Sequence, residues 1–181
     1  MHVQVQTALL HVVEKGDPAA LPIIFIHGFP FSHKMWDAQV AALNTRYRTI
    51  AYDVRGLGES SMGDGQYTIE GHVDDLLAVM DHFGVAKAVI AGLSMGGYIT
   101  LRALERNPER FHAAILCNTR SETDGNDAKI MRARTMAAVK SRGSSWFADD
   151  FIKKVFAESS FTRVPEAVEH IRTTIARTPP L

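Results

Sequence analysis

The sequence predicts an α/β fold with a mostly parallel sheet that helices cover on both faces. Three short apolar runs, at 21–29, 47–54 and 87–92, each lead into a glycine-bearing loop or turn. Runs that are apolar throughout are typical of strands buried on both faces of a parallel sheet. Segments with helical spacing separate the runs, which is the alternation expected of a doubly wound sheet.

Six strands are expected in total. Residues 3–13 alternate loosely and predict one or two N-terminal strands, and FHAAILCNT (111–119) predicts the last strand. Helical spacing predicts helices over 32–47, 68–84 and 98–107. Thr68 is the predicted N-cap of the second helix and Gly84 its predicted stop.

The character of the sequence changes after Arg120. A polar loop is followed by helical patterns alone, at about 127–141, 145–157 and 165–177. We therefore expect two regions, a sheet-bearing core over 1–120 and a helical region over 121–181.

Composition narrows the classes of partner. The 181 residues carry 20 Lys and Arg against 20 Asp and Glu, with no block of like charge, so nothing favours nucleic acid or an anionic membrane as partner. No apolar run approaches the length of a membrane span, and the N-terminus has no secretory signal pattern. The single cysteine fits a reducing compartment, and we expect a cytoplasmic protein.

The stretch GLSMG (92–96) places a serine between a predicted strand and a predicted helix. A Gly-x-Ser-x-Gly pattern at such a junction is typical of a sharp turn that exposes a nucleophilic serine above the sheet. Gly92 and Gly96 would let this turn pack without clashes. The pattern predicts that Ser94 is a catalytic nucleophile, and the plainer alternative is a serine that caps an ordinary strand–helix turn.

The stretch HGFP (27–30) follows the first apolar run. An oxyanion hole beside a nucleophile turn uses one N–H from the residue after the serine and one from the loop after an earlier strand. Met95 would supply the first and Phe29 the second, because Pro30 has no N–H. We expect His27 and Gly28 to shape this loop.

These motifs resemble the α/β-hydrolase family. HGFP, YDVRGLGES (52–60) and VIAGLSMGG (89–97) match its motifs in type and order over most of residues 10–120, and the chain is most similar to small esterases and lactonases of the 3-oxoadipate enol-lactonase type. The resemblance implies hydrolysis of a small ester or lactone without a metal or organic cofactor. It also implies that the helices after residue 120 form a cap.

The resemblance further implies a catalytic acid and histidine that follow the cap on two more strands. The 181 residues contain the first six strands and cap-like helices, so we expect the last two strands and both catalytic groups to be missing. His33 and His170 are the histidines that come closest to a usable position, and we expect both to be satisfied surface side chains. Asp124 is the remaining candidate acid.

A missing strand would leave AAILC (113–117) as an exposed apolar edge, which invites pairing with another chain. A second polypeptide or a swapped copy could complete the sheet and deliver the histidine. Two other functions stay open at this point. One is a non-catalytic or truncated relative that acts as a binding module, and the other is a cofactor-free haloperoxidase or carbon–carbon bond hydrolase on the same fold.

Overall fold

The computed structural model of the protein describes residues 1–179. It contains two compact units, one over Met1–Ser121 and a second that begins at Glu122. The first unit holds a six-stranded sheet in the order β1-β2-β4-β3-β5-β6. The strands are β1 His2–Val5, β2 Ala8–Lys15, β3 Pro22–Ile26, β4 Arg48–Tyr52, β5 Ala88–Leu93 and β6 Phe111–Cys117.

The sheet is parallel from β4 through β3 and β5 to β6, and antiparallel at β1 and β2. This arrangement confirms the predicted mostly parallel six-stranded sheet. Because consecutive side chains of a strand point to opposite faces, the side chains of β3 contribute to two cores, one on each face of the sheet. Ile24 and Ile26 enter a large core with α2 and α3, whereas Ile23 and Phe25 pack with Trp36 on the other face.

Three α-helices flank this sheet: α1 Asp37–Leu43, α2 Ile69–His82 and α3 Met95–Arg106. The start of α2 is as predicted, because the Thr68 hydroxyl accepts a hydrogen bond of 3.0 Å from the N–H of Gly71. Its end is also as predicted, since Gly84 has a positive φ of 63° that glycine adopts without strain.

The predicted helix over 32–47 is wrong in its extent. The segment forms a 3₁₀ turn over His33–Trp36 and then the short α1. The Asn44 side chain donates to the carbonyl oxygen of Val40, and this local bond competes with continuation of the helix.

Strand β6 lies at one end of the sheet, as the sequence predicts. Its residues between Phe111 and Cys117 are exposed, and Ile115 and Leu116 retain 48% and 47% of their accessible surface. Apolar side chains at an unpaired strand edge favour association with a further strand.

The second unit consists of α4 Asn126–Arg142, α5 Ser144–Val155, α6 Ser160–Arg163 and α7 Pro165–Arg177. Its small core is formed between α5 and α7 by Ala148, Ile152, Val168 and Ile175. The short α6 was not expected from the sequence. Within residues 1–179, no helix combines the length and the apolar character needed to cross a membrane.

Candidate active site

Ser94 occupies a strained turn between β5 and α3. Its φ of 50° and ψ of −111° lie in a region that side-chain-bearing residues rarely adopt. The turn is held by backbone bonds, because the Ser94 N–H donates to the Cys117 carbonyl at 3.0 Å and the Ser94 carbonyl accepts from Gly97 N–H at 2.9 Å. Strain that a fold maintains in this way is characteristic of functional sites.

Close backbone packing around the turn requires glycine on both sides of the serine. A Cβ atom at Gly92 would lie 2.3 Å from the carbonyl oxygen of Gly96 and 2.4 Å from the Thr100 hydroxyl. A Cβ atom at Gly96 would lie 2.3 Å from the carbonyl oxygen of Ile26. The Gly-x-Ser-x-Gly spacing therefore reflects contact of α3 with the ends of β3 and β5.

The loop after β3 lies directly beside the serine. A Cβ atom at Gly28 would lie 3.4 Å from the Cβ of Ser94 and 3.2 Å from the carbonyl oxygen of Leu93. The loop then turns, since the Phe31 N–H donates to the Gly28 carbonyl at 2.9 Å. Phe29, in the middle of the turn, is about half exposed. The structure thus brings the segment with the predicted oxyanion donor Phe29 next to the turn.

Met95, the other predicted oxyanion donor, is the first residue of α3. The first N–H groups of a helix have no acceptor within the helix. Over residues 1–179, no backbone carbonyl or side chain accepts from the Met95 N–H. This N–H also lies at the positive end of the helix dipole, which favours an anionic oxygen.

His27 is buried beneath this loop with both ring nitrogens used. Its Nδ1 lies 2.9 Å from the Gly28 carbonyl oxygen, and its Nε2 accepts from the Val54 N–H at 2.9 Å. These partners require a neutral ring that carries its proton on Nδ1. Burial lowers the pKa of His27 below its ordinary value. The side chain ties the loop after β3 to the loop after β4.

No base contacts the serine in the part of the chain that the structure describes. The Ser94 hydroxyl makes no hydrogen bond to any of residues 1–179. His33 is buried rather than on the surface as expected, because its backbone N–H and Nδ1 lie 2.6 and 2.8 Å from Asp53 Oδ1. His170, on α7, is exposed as expected, and Asp124 pairs with Arg132.

Two buried polar pairs in the first unit were not foreseen from the sequence. One is the His33–Asp53 pair, and the other joins Arg55 and Asp75 through two bonds of 2.6 and 2.7 Å. The members of each pair are 20 positions apart and on different elements. Local pattern carries no signal for such contacts, because strand register and helix placement decide them.

The fold and the turn define the class of protein. A family model described as alpha/beta hydrolase fold matches residues 22–165. The chain belongs to the α/β-hydrolase family, which confirms the resemblance of the sequence motifs.

Individual relatives indicate which members of the family the chain is similar to. The chain is 32% identical over 152 residues to 3-oxoadipate enol-lactonase 1 of Acinetobacter baylyi, covering 81% of this chain and 57% of that protein. A thermophilic esterase from Thermogutta terrifontis superposes with a TM-score of 0.93 at 35% identity, covering 99% of this chain and 68% of the other. The enol-lactonase from Burkholderia xenovorans LB400 gives 0.92 at 29% identity, with coverages of 99% and 69%. The chain thus spans less than two thirds of the Acinetobacter enzyme.

Proposed function

We propose that the protein is a serine hydrolase that cleaves a small ester or lactone through Ser94. The strained backbone of Ser94 is the observation that carries this proposal, because such a turn projects a hydroxyl away from the sheet. The similarity to an esterase and to enol-lactonases supports the substrate class.

In this mechanism the Ser94 oxygen adds to the substrate carbonyl carbon while a base accepts the hydroxyl proton. The carbonyl oxygen becomes an oxyanion, and the N–H groups of Met95 and Phe29 donate to it. Collapse of the intermediate expels the alcohol oxygen, which takes the proton from the base, and leaves an acyl group on Ser94. A water molecule then attacks the acyl group through the same steps, with the base accepting its proton, and this releases the acid and restores the Ser94 hydroxyl.

The base and its carboxylate belong, in this proposal, to polypeptide outside residues 1–181. The exposed apolar edge of β6 supports a place for that polypeptide, since a strand paired there would cover Ile115 and Leu116. The carbonyl of Cys117, at the end of β6, already accepts from Ser94, so a strand on this edge would end near the turn. A second chain or a swapped copy would serve equally.

We propose three further features of this hydrolase. The second unit is proposed as a cap on the basis of the family resemblance. Gly28, Gly92 and Gly96 are proposed to shape the site through the close contacts described above. A cytoplasmic location is proposed from the single cysteine.

The test is chemical rescue of the missing base. Imidazole added in solution accepts the serine proton in place of a histidine side chain. We expect imidazole to accelerate labelling of the chain by a fluorophosphonate and release of nitrophenol from p-nitrophenyl acetate. Intact mass and peptide mapping locate the adduct.

Two variants make this test specific. Ser94→Ala should remove the imidazole-dependent label and rate, whereas Ser145→Ala, at an exposed serine of α5, should leave both unchanged. Equal rates for the chain and for Ser94→Ala at every imidazole concentration would refute a nucleophilic role and favour a binding module.

A further inference from the structure

We propose that His11, His33 and Asp53 form a binding site for one divalent transition-metal ion such as Zn²⁺, separate from Ser94. His11 lies on β2, His33 opens the 3₁₀ turn before α1, and Asp53 follows β4. One donor atom from each residue lies within 4.8 Å of the other two. Two imidazoles and a carboxylate are a ligand set that zinc prefers.

The spacing of the donor atoms suits a small ion. His33 Nδ1 lies 2.8 Å from Asp53 Oδ1, and His11 Nδ1 lies 3.5 Å from Asp53 Oδ2. Bonds of roughly 2.0–2.2 Å to a tetrahedral zinc ion place its ligands about 3.3–3.6 Å apart. The distances from the two histidine nitrogens to the Asp53 oxygens are therefore close to the spacing between zinc ligands. The side chains would need to move by on the order of 1 Å to bind an ion.

The ring of His11 has a buried nitrogen that no hydrogen bond satisfies. Its Nδ1 is buried and has no hydrogen-bond partner, although the neighbouring polar groups are paired. A buried polar atom without a partner is unfavourable, and most such atoms in folded proteins have one. This nitrogen lies 3.5 Å from Asp53 Oδ2, and in the tautomer protonated on Nε2 its lone pair would be available to a metal ion held by that carboxylate.

The His33–Asp53 contact supplies the second and third ligands. A proton on His33 Nδ1 joins this nitrogen to the carboxylate. A metal ion bonds to Nδ1 only when the single ring proton is on Nε2, so ion binding shifts the proton from Nδ1 to Nε2 by way of solvent, while Nδ1 and an Asp53 oxygen each bond to the ion.

Neighbouring groups hold the proposed ligand side chains in position. The backbone N–H groups of His33 and Glu59 donate to the two Asp53 oxygens at 2.6 and 2.8 Å and fix the carboxylate. The Glu59 carboxylate lies 3.8 Å from Nε2 of His11, on the side of the ring away from Asp53. A carboxylate behind a ligating imidazole is a common feature of metal sites.

The charges around the cluster are mixed, and the route to solvent is short. Asp53 and Glu59 are acidic and would attract a cation. Lys34, which lies 3.8 Å from Glu59, would repel one. The exposed His2 ring contacts His11 with centroids 5.2 Å apart. Glu59 and Lys34 are exposed, so an ion can reach His11 from this side.

The experiment titrates a tag-free, chelator-treated chain with Zn²⁺ by calorimetry and with Co²⁺ by visible absorption. We expect one ion per chain and Co²⁺ bands typical of nitrogen and oxygen ligands. His11→Ala should weaken binding at least about tenfold. His170→Ala, at an exposed histidine of the second unit, should leave binding unchanged.

Three controls keep the outcome decisive. Circular dichroism confirms that His11→Ala is folded, and His11→Gln provides a second variant of similar shape. Ser94→Ala should bind the ion normally, so loss of hydrolase activity and loss of this site are distinguishable. Absence of saturable binding, or equal affinity in both His11 variants and the parent chain, would overturn the proposal.

Discussion

The hydroxyl of Thr119 donates a hydrogen bond of 2.8 Å to the backbone carbonyl oxygen of Ser94. Thr119 also fills the space left by the absent side chain of Gly97, where a Cβ atom would lie 2.3 Å from the Thr119 hydroxyl. The segment after β6 therefore supports the strained turn directly. The conformation of the Ser94 turn thus depends on Cys117, at the end of the edge strand β6, and on Thr119 just after it.

Removal of the Thr119 hydroxyl should loosen this turn. Thr119→Val keeps the shape of the side chain but cannot donate, and we expect the free energy of unfolding to fall by about 1 kcal/mol. Imidazole-dependent labelling of Ser94 should fall with it. Urea denaturation and labelling rates measure the two effects. Thr119→Ser retains the donor and serves as the control, so an equal loss in both variants would contradict a role for the hydrogen bond.

A side chain at Gly96 should be poorly tolerated. Gly96→Ala places a methyl group 2.3 Å from the Ile26 carbonyl oxygen, which belongs to the backbone of β3 and is not the end of a flexible side chain. We expect a loss of about 1–3 kcal/mol, as for other overpacked sites, measured by urea denaturation. Gly125→Ala is the matched control, since a Cβ atom there meets nothing within 4 Å. Similar stabilities of the two variants would show that the turn can relax.

The buried Arg55–Asp75 pair should be costly to break from one side. Both side chains are almost fully buried, so Asp75→Asn leaves a cation with reduced compensation. We expect a loss of about 3–5 kcal/mol in unfolding experiments. The double variant Arg55→Met/Asp75→Leu should recover much of it, because no uncompensated charge remains. Lys154→Ala, which breaks the exposed pair with Asp150, should cost less than about 1 kcal/mol.

The protein should lose stability below neutral pH partly through His72. Burial lowers the pKa of His72 below its ordinary value, and Arg55 acts in the same direction, whereas Asp75 opposes them. The unfolded chain therefore binds a proton at a higher pH than the folded chain does. The free energy of unfolding should fall as pH drops below about 6.5, by at most about 1.4 kcal/mol per pH unit for each such group, until the folded pKa is passed.

His72→Leu tests this dependence. The variant removes a buried ring whose Nδ1 has no hydrogen-bond partner, so it should lose less stability than the parent between pH 7.5 and pH 5.5. Urea denaturation at the two pH values gives the comparison. His27, whose pKa is also lowered by burial, leaves a residual dependence. His170→Leu, at an exposed histidine, should behave as the parent chain, and an unchanged slope in His72→Leu would refute the assignment.

The order of elements and the nucleophile turn were predictable from the sequence because each has a local signature. An apolar run that ends in GLSMG specifies a strand, a tight turn and a helix within 20 residues, and Thr68 and Gly84 specify the ends of α2 in the same way. The extent of α1 was not predictable, because the segment before it is anchored by the contact of His33 with Asp53 and its end is set by the side chain of Asn44.

The sequence by itself determined the family, the six-stranded sheet and the position of Ser94 between β5 and α3. Only the tertiary structure decided which polar side chains meet. His33 was expected on the surface and is buried against Asp53, and His11 joins them from β2. These contacts arise where the loops after β3 and β4 come together beside β2. The physical reason is that side-chain contact between elements is set by strand order and register, which no local spacing of residues encodes.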